Sequence, residues 1–370
     1  MTARARGVLG AMAVVVLAAG CTATGTADST ASSPPAATVT PSAPSPARTA
    51  QGTLLVADFG SDTVTFVDPQ RGPLDSVKVG TAPYGLAVGE DGRAWVATAE
   101  GVAVVDTETR ENVARIPYTT ETAPATTGEY RGGGMGIALA PDGKHVYVGV
   151  NVPDEKGVLE VVDTATRKVT DTVPVGRRPF DVDVSRDGGE VYATGHDSFD
   201  VTAVRADTLT ARRFEVAPYG TEGGLGSWLK PHYAAVRDDG KLLLPFEGEK
   251  LAVLDPRTGK VAVEPMTADT HQHGARLTPD GTLLAVGTGP IGARDDDASL
   301  TIRTADGKER VVPLDGPHED VAASRDGRTA YVTGGFTRDG FWDGITVVDL
   351  RSGDTHRLPA GHRPLGIAVL

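Results

Sequence analysis

A short apolar run, an Asp-Gly turn and a second run of the Tyr-Val-Thr-Gly kind recur along this 370-residue chain. The copies read GLAVGEDGRAWVA (85–97), GIALAPDGKHVYV (136–148), DVDVSRDGGEVYA (181–193), YAAVRDDGKLLLP (233–245), GARLTPDGTLLAV (274–286) and DVAASRDGRTAYV (320–332). A seventh copy is divided between the two ends: the chain stops at GIAVL (366–370), and the missing second run is GTLLVA (52–57). Self-similarity at this period is the mark of solenoids and propellers. A unit shared between both ends favours a closed ring, which removes the open sheet edges that a linear array would leave. The expected fold is therefore all-β: seven blades of four antiparallel strands, closed by pairing the C-terminal strand with the N-terminal blade.

Each unit supplies four strand-like runs. The third ends in an aspartate: Asp68, Asp106, Asp163, Asp255 and Asp349, with variants at Asp207 and Asp306. Aspartate at such a corner bonds its own backbone, and Asp-Gly reaches positive φ cheaply, so these repeated carboxylates are read as turn-formers rather than as a catalytic set. The Asp-Gly markers Asp91, Asp142, Asp187, Asp239, Asp280 and Asp326 lie 41 to 52 residues apart. The variation falls in the connections between runs two and three and between run four and the next unit. In a propeller both belong to one face. Insertions at 118–134, 151–157, 218–230, 288–299 and 334–344 thus elaborate one face and leave the other trimmed to tight turns. Binding residues concentrate on such loops.

The first fifty residues have a different character. Arg4 and Arg6 precede an apolar stretch (8–17) too short to span a bilayer, followed by Leu17-Ala18-Ala19-Gly20-Cys21. This pattern resembles a bacterial lipobox, which implies cleavage after residue 20 and lipidation of Cys21. Residues 22–50 are mostly Ser, Thr, Ala and Pro, a composition that buries no core and is expected to act as a tether. The expected organisation is a lipoprotein signal peptide (1–20), a lipidated cysteine with its tether (21–50) and the propeller (51–370). The expected place is the outer face of the bacterial cytoplasmic membrane. Cys21 is the only cysteine, so no intramolecular disulfide forms. A net charge of −13, with 49 acidic against 36 basic residues, disfavours a nucleic-acid partner. The chain is expected to be a monomer.

The repeats resemble the YVTN family of seven-bladed β-propellers of bacterial surface and periplasmic proteins. Tyr331-Val332-Thr333, the Pro-Asp-Gly turns at 141–143 and 279–281 and the repeated Val-Val-Asp carry the match. The resemblance implies the fold and leaves function open, because one ring serves many activities. Lys230-Pro231-His232 with 239–245, and Gly316-Pro317-His318 before 326–333, are also similar to stretches of the lactonase branch of seven-bladed propellers. Glu319 directly after His318 and Gly334-Gly335 after Thr333 depart from that branch.

Aligning the units on their turns places one segment of each at the start of its inner strand. These are Pro83-Tyr84-Gly85, Gly134-Met135-Gly136, Pro179-Phe180-Asp181, Pro231-His232-Tyr233, Gln272-His273-Gly274, His318-Glu319-Asp320 and Pro364-Leu365-Gly366. In a propeller they ring one mouth of the axial channel. His232, His271, His273 and His318, with Glu319 and Asp320, are the candidate metal set, suited to Zn²⁺ or Cu²⁺. The same groups also suit acid–base chemistry or a lactonase-like hydrolase, with His232 and Glu319 as the acting pair. The alternative is a set of polar rim residues that bond loop backbone. Trp228, Phe341, Trp342 and Tyr84 are candidate contacts for a small ligand or a protein partner on the long-loop face. The loop Arg294-Asp295-Asp296-Asp297 is read as solvated acid rather than a Ca²⁺ site. His145, His196, His356 and His362 are read as surface residues. The expected function is a binding or scaffold module acting through the long-loop face, with metal binding and lactone hydrolysis as alternatives.

Overall fold

The computed structural model describes residues 52–370 except 129, 217–229, 247, 291–295 and 336–339, and omits the side chains of 248 and 249. The leader, Cys21 and the tether lie outside the described residues, as does Trp228. Seven four-stranded antiparallel sheets form the ring. Blade 1 is the closing blade, in the order Pro364–Val369, Leu54–Asp58, Thr63–Asp68, Gly72–Lys78. Blades 2 to 7 each use consecutive strands and span residues 86–117, 133–174, 179–215, 235–270, 272–313 and 321–359. Closure is antiparallel, with Leu54 opposite Val369, Leu55 opposite Ala368 and Val56 opposite Ile367. The expected architecture and closure are both present.

Alternation inside the strands makes the blades stack. Middle strands such as TVTFVD and VLEVVD are buried on both faces, because each blade is covered by a neighbour on either side. The filling is mostly Val, Leu and Ala. Val102, Val104, Val148 and Val162, for example, lie in one cluster between blades 2 and 3. A ring of wedges leaves little room between blades near the axis, and small aliphatic side chains suit that taper.

Two turn types punctuate the blades as the sequence implies. The Asp68 carboxylate accepts the amides of Gln70 and Arg71 at 2.9 and 3.0 Å, and Asp349 accepts those of Arg351 and Ser352 at 2.9 and 2.7 Å. These aspartates are turn-formers. Near the axis the blades are tied by backbone bonds: the Gly85 amide donates to Met135 O, and the Gly274 amide to Glu319 O. A Cβ at Gly85 would lie 2.7 Å from Met135 O, and one at Gly274 would lie 2.8 Å from Glu319 O. Those contacts are too close for any side chain, which is why glycine follows Tyr84 and His273.

Candidate functional site: a buried imidazole cluster on the long-loop face

Seven side chains occupy the axial position at this mouth, one per blade: Leu365, Tyr84, Met135, Phe180, His232, His273 and Glu319. Four consecutive blades contribute apolar groups and the next three contribute His, His and Glu. The apolar half is packed. Tyr84 meets Phe59 and Phe180 edge-on at ring-centroid distances of 6.0 and 5.5 Å, and Phe180 meets Tyr233 at 5.3 Å. Tyr84 is only 2 % exposed. The expectation that it meets an external partner is therefore corrected: its ring is needed to plug the axis.

The polar half holds the imidazoles. His271 is the single residue between the outer strand of blade 5, Lys260–Thr270, and the inner strand of blade 6, Gln272–Leu277. Extended backbone alternates its side chains, so His271 and His273 share a side while Gln272 turns away and donates to Ala268 O at 3.2 Å. His232 arrives from the approach to blade 5 and stacks on His273, with centroids 3.8 Å apart. His271 sits across both rings at 4.8 and 4.4 Å. One ligating atom from each of His232, His271 and His273 lies within 4.8 Å of the others, and all three residues are buried.

The neighbouring groups set the tautomers. His273 Nδ1 lies 3.1 Å from Glu319 Oε1. A carboxylate accepts, so Nδ1 carries the proton and the ring lone pair falls on Nε2. The Tyr233 hydroxyl also donates to Glu319 Oε1, at 3.4 Å. Burial, with the Glu319 charge adding to it, raises the Tyr233 pKa well above its ordinary value and keeps the hydroxyl protonated.

His196 joins this cluster, which corrects its assignment to the surface. It begins the short 3-10 turn His196–Ser198 in blade 4, is 2 % exposed, and places Nε2 at 3.1 Å from His232 Nε2. Its Nδ1 lies 2.8 Å from Asp197 Oδ1. His196 Nδ1–H therefore donates to the aspartate, His196 Nε2 accepts from His232, and the His232 lone pair falls on Nδ1. Burial lowers the His196 pKa to about 3, with the nearby Arg178 and Lys230 charges acting in the same direction. Burial alone would raise the Asp197 carboxyl, but its bonds from His196 and Lys230 and the Arg178 charge hold it well below the usual carboxylate range.

His318 does not join, although the aligned repeats placed it beside the others. Its Nδ1 donates to Gly316 O and its Nε2 accepts from Thr346 Oγ1, both at 2.7 Å, so both ring nitrogens are engaged within its own blade. Burial lowers its pKa to about 4. Glu319, one residue on, occupies the axial column, and alternation directs its neighbour elsewhere. Asp320 is likewise separate from the imidazoles. It lines the axial channel below the aromatic plug with Asp181, Asp183 and Arg276, and burial raises its pKa to about 7. That channel, about 780 Å³, is floored by Tyr84, Met135, Phe180 and Tyr233, and none of the histidines lines it.

Of the remaining candidates, Trp342 packs on its own blade. It lies 5.7 Å from the His318 ring, with Arg357 4.5 Å over its face. Phe341 is 43 % exposed, with Arg363 over its face and His362 against it edge-on. His356 and His362 are exposed, and His145 is half-buried. In the acidic loop, Asp296 Oδ2 accepts the Asp269 amide at 3.0 Å. Arg294 and Asp295 lie outside the described residues.

Comparison with known proteins yields no match to any protein-family model and none to a curated protein. Solved structures do match. The periplasmic gluconolactonase of Pseudomonas aeruginosa is 17 % identical, with 86 % of this chain and 99 % of that one covered and a TM-score of 0.60. A protein from Lactobacillus plantarum is 18 % identical, with 87 % and 100 % covered and a TM-score of 0.61. Virginiamycin B lyase of Staphylococcus aureus is 14 % identical, with 77 % and 88 % covered and a TM-score of 0.58. At these identities the likeness is one of fold: the chain is a seven-bladed β-propeller, an architecture that it shares with a lactonase and a lyase.

Proposed function

We propose that this chain is a lipid-anchored, extracytoplasmic propeller of the YVTN type that binds a divalent transition metal, Zn²⁺ or Cu²⁺, at the long-loop mouth of its axis. The observation that carries the reading is the convergence of His232, His271 and His273 from adjacent blades, with ligating atoms within 4.8 Å of one another. Three imidazoles suit Zn²⁺ and Cu²⁺, which such rings bind at about 2.0–2.1 Å. The Glu319–His273 bond supplies the carboxylate that commonly orients a ligating imidazole and strengthens its lone pair. A site with three protein ligands leaves a position for a further ligand.

The test is metal content and Zn²⁺ titration of the purified protein and of His232→Ala and His273→Ala. One equivalent bound at micromolar affinity or tighter, lost in both folded variants, is the expected result. Saturable binding that survives both substitutions, or no such binding, ends the metal reading. A lactonase-like hydrolase is the second reading, favoured by the His273–Glu319–Tyr233 chain, which would hold His273 as a general base. Lactone turnover by metal-free protein, abolished in His273→Ala, would select it. The anchoring half is tested separately: Cys21→Ser should move the protein from the membrane fraction to the soluble one, and retention in the membrane would refute lipidation at this residue.

A further inference from the structure

Among the described residues, the wall behind the imidazoles carries more buried positive than negative charge. Asp197 is the carboxylate shared by two cations there: Lys230 Nζ lies 2.9 Å from Oδ1, and Arg178 Nε lies 3.3 Å from Oδ2. Arg178 is 2 % exposed and Lys230 is 8 % exposed, so one negative charge faces two positive charges away from water. Arg131, also buried, is a different case, because the carbonyls of Ala82, Gly132 and Gly134 hold its guanidinium. Arg178 has no such set of carbonyl acceptors among the described residues. Its Nη1 reaches His196 Nδ1 at 3.5 Å, a position already committed to Asp197, and its Nη2 has no hydrogen-bond partner among the described residues. Leaving a charged donor buried without a hydrogen bond is costly. The chain also holds Arg178 at φ 50°, a left-handed conformation that non-glycine residues adopt infrequently, at the same step before proline as Ala82 and Arg363.

The Arg178 guanidinium is separated from His232 only by the His196 ring, through contacts of 3.5 and 3.1 Å. On its face lies Tyr130, 3.6 Å from the guanidinium carbon to the ring centroid and itself 54 % exposed. One exposed side chain on the long-loop face thus covers a buried fork. Arginine forks match carboxylates in geometry, and two parallel charge-assisted bonds to one carboxylate are the strong form of this contact.

We propose that Arg178, with Lys230 behind it, is an oxyanion subsite that takes a carboxylate of a small organic acid lying alongside the imidazole cluster, with Tyr130 as its cover. The idea deepens the metal-binding reading and rests on it for one end of the ligand, since a second carboxylate would fill the open position on the ion. A dication held by three neutral imidazoles would raise the local charge further, so an organic anion suits the loaded site better than a neutral molecule.

The probe is succinate, a dicarboxylate that holds Zn²⁺ weakly by itself. It is titrated calorimetrically into the full-length protein, metal-free and Zn²⁺-loaded, and into Arg178→Lys, Arg178→Asn and Tyr130→Ala. Asparagine tolerates the left-handed backbone, and a thermal melt establishes that each variant is folded. The expected result is saturable binding to metal-free protein, weakened about tenfold or more in both Arg178 variants, as for loss of hydrogen bonds to a charged group. Zn²⁺ should tighten it, and Tyr130→Ala should speed association. Binding that depends on Arg178 in protein unable to hold Zn²⁺ would remove the metal reading and keep the anion subsite. No saturable binding, or equal affinity in the wild type and both folded Arg178 variants, would overturn the subsite even where Zn²⁺ binds as expected.

Discussion

Asp58 ends the first strand of the chain fully buried, and its surroundings store a pH dependence. Thr65 Oγ1–H donates to its Oδ2 at 2.6 Å and Thr63 at 3.0 Å. Neither bond outweighs desolvation, which raises the pKa from 3.8 to about 7. In the folded state Asp58 is thus protonated below neutrality, while in the unfolded chain it ionises near pH 4. Folding binds the proton between those values, so the stability Asp58 contributes is full below about pH 4 and is lost as pH rises toward 7. His196 and His318, whose pKa values are lowered, act in the opposite sense over much of that window, and their stability is lost as pH falls. The wild-type curve alone therefore mixes opposing effects, and a single substitution isolates one of them. Denaturant unfolding of Asp58→Asn should show its stability relative to wild type increasing by up to about 4 kcal/mol between pH 4 and 7 and level above that. A difference that does not vary with pH would show that Asp58 titrates normally.

At the level of the blade, nearly all of the fold was legible because strand alternation and turn chemistry repeat. Asp68 and Asp349 bond the amides that an Asx turn requires, and Gly85 and Gly274 stand where the backbones of adjacent blades touch. The site was legible in part, for a reason of the same kind. Counting from the Asp-Gly turns puts Tyr84, Met135, Phe180, His232, His273, Glu319 and Leu365 in one column, and the structure holds Glu319 against His273. His318 was grouped by residue type rather than by column. One step out of register on extended backbone sends a side chain the other way, toward Thr346 in this case. His271 reaches the cluster by the same alternation, two residues before His273. His196 carried no repeat signal, because it sits in a connection between the second and third strands of blade 4, where each blade differs. Its only trace in the sequence was its position on the elaborated face, in the blade adjacent to His232. The partition of Tyr84 into the plug was likewise invisible until Phe59, Phe180 and Tyr233 were seen around it.

For the whole ring, closure decides whether seven marginal sheets act as one body. The last strand contributes Leu365 and Ile367, at most 3 % exposed, to two different clusters, and pairs with Leu54, Leu55 and Val56. Its end lies beside the first strand: the Gly52 amide donates to Leu370 O at 2.7 Å, and the Leu370 amide to Thr53 O at 2.8 Å. Deleting residues 364–370 would strip the inner edge from blade 1 and uncover the fully buried Leu54 and Val56. The burial lost amounts to several large apolar side chains at roughly 1.5–3 kcal/mol each, with an unpaired edge added. The deletion should lower the melting temperature by about 10 °C or more, or abolish the cooperative transition and promote aggregation. A circular permutant supplies the control. Cutting after Ala360 and joining Leu370 to Gly52 through a short glycine turn keeps every strand pair of blade 1 while moving the break to the long-loop face. If closure is topological, the permutant should melt close to wild type while the deletion does not. Equal melting of wild type and deletion would show that the seventh blade closes without its inner strand. Equal loss in both altered proteins would show that the natural position of the break, and not the strand pairing, sustains the ring.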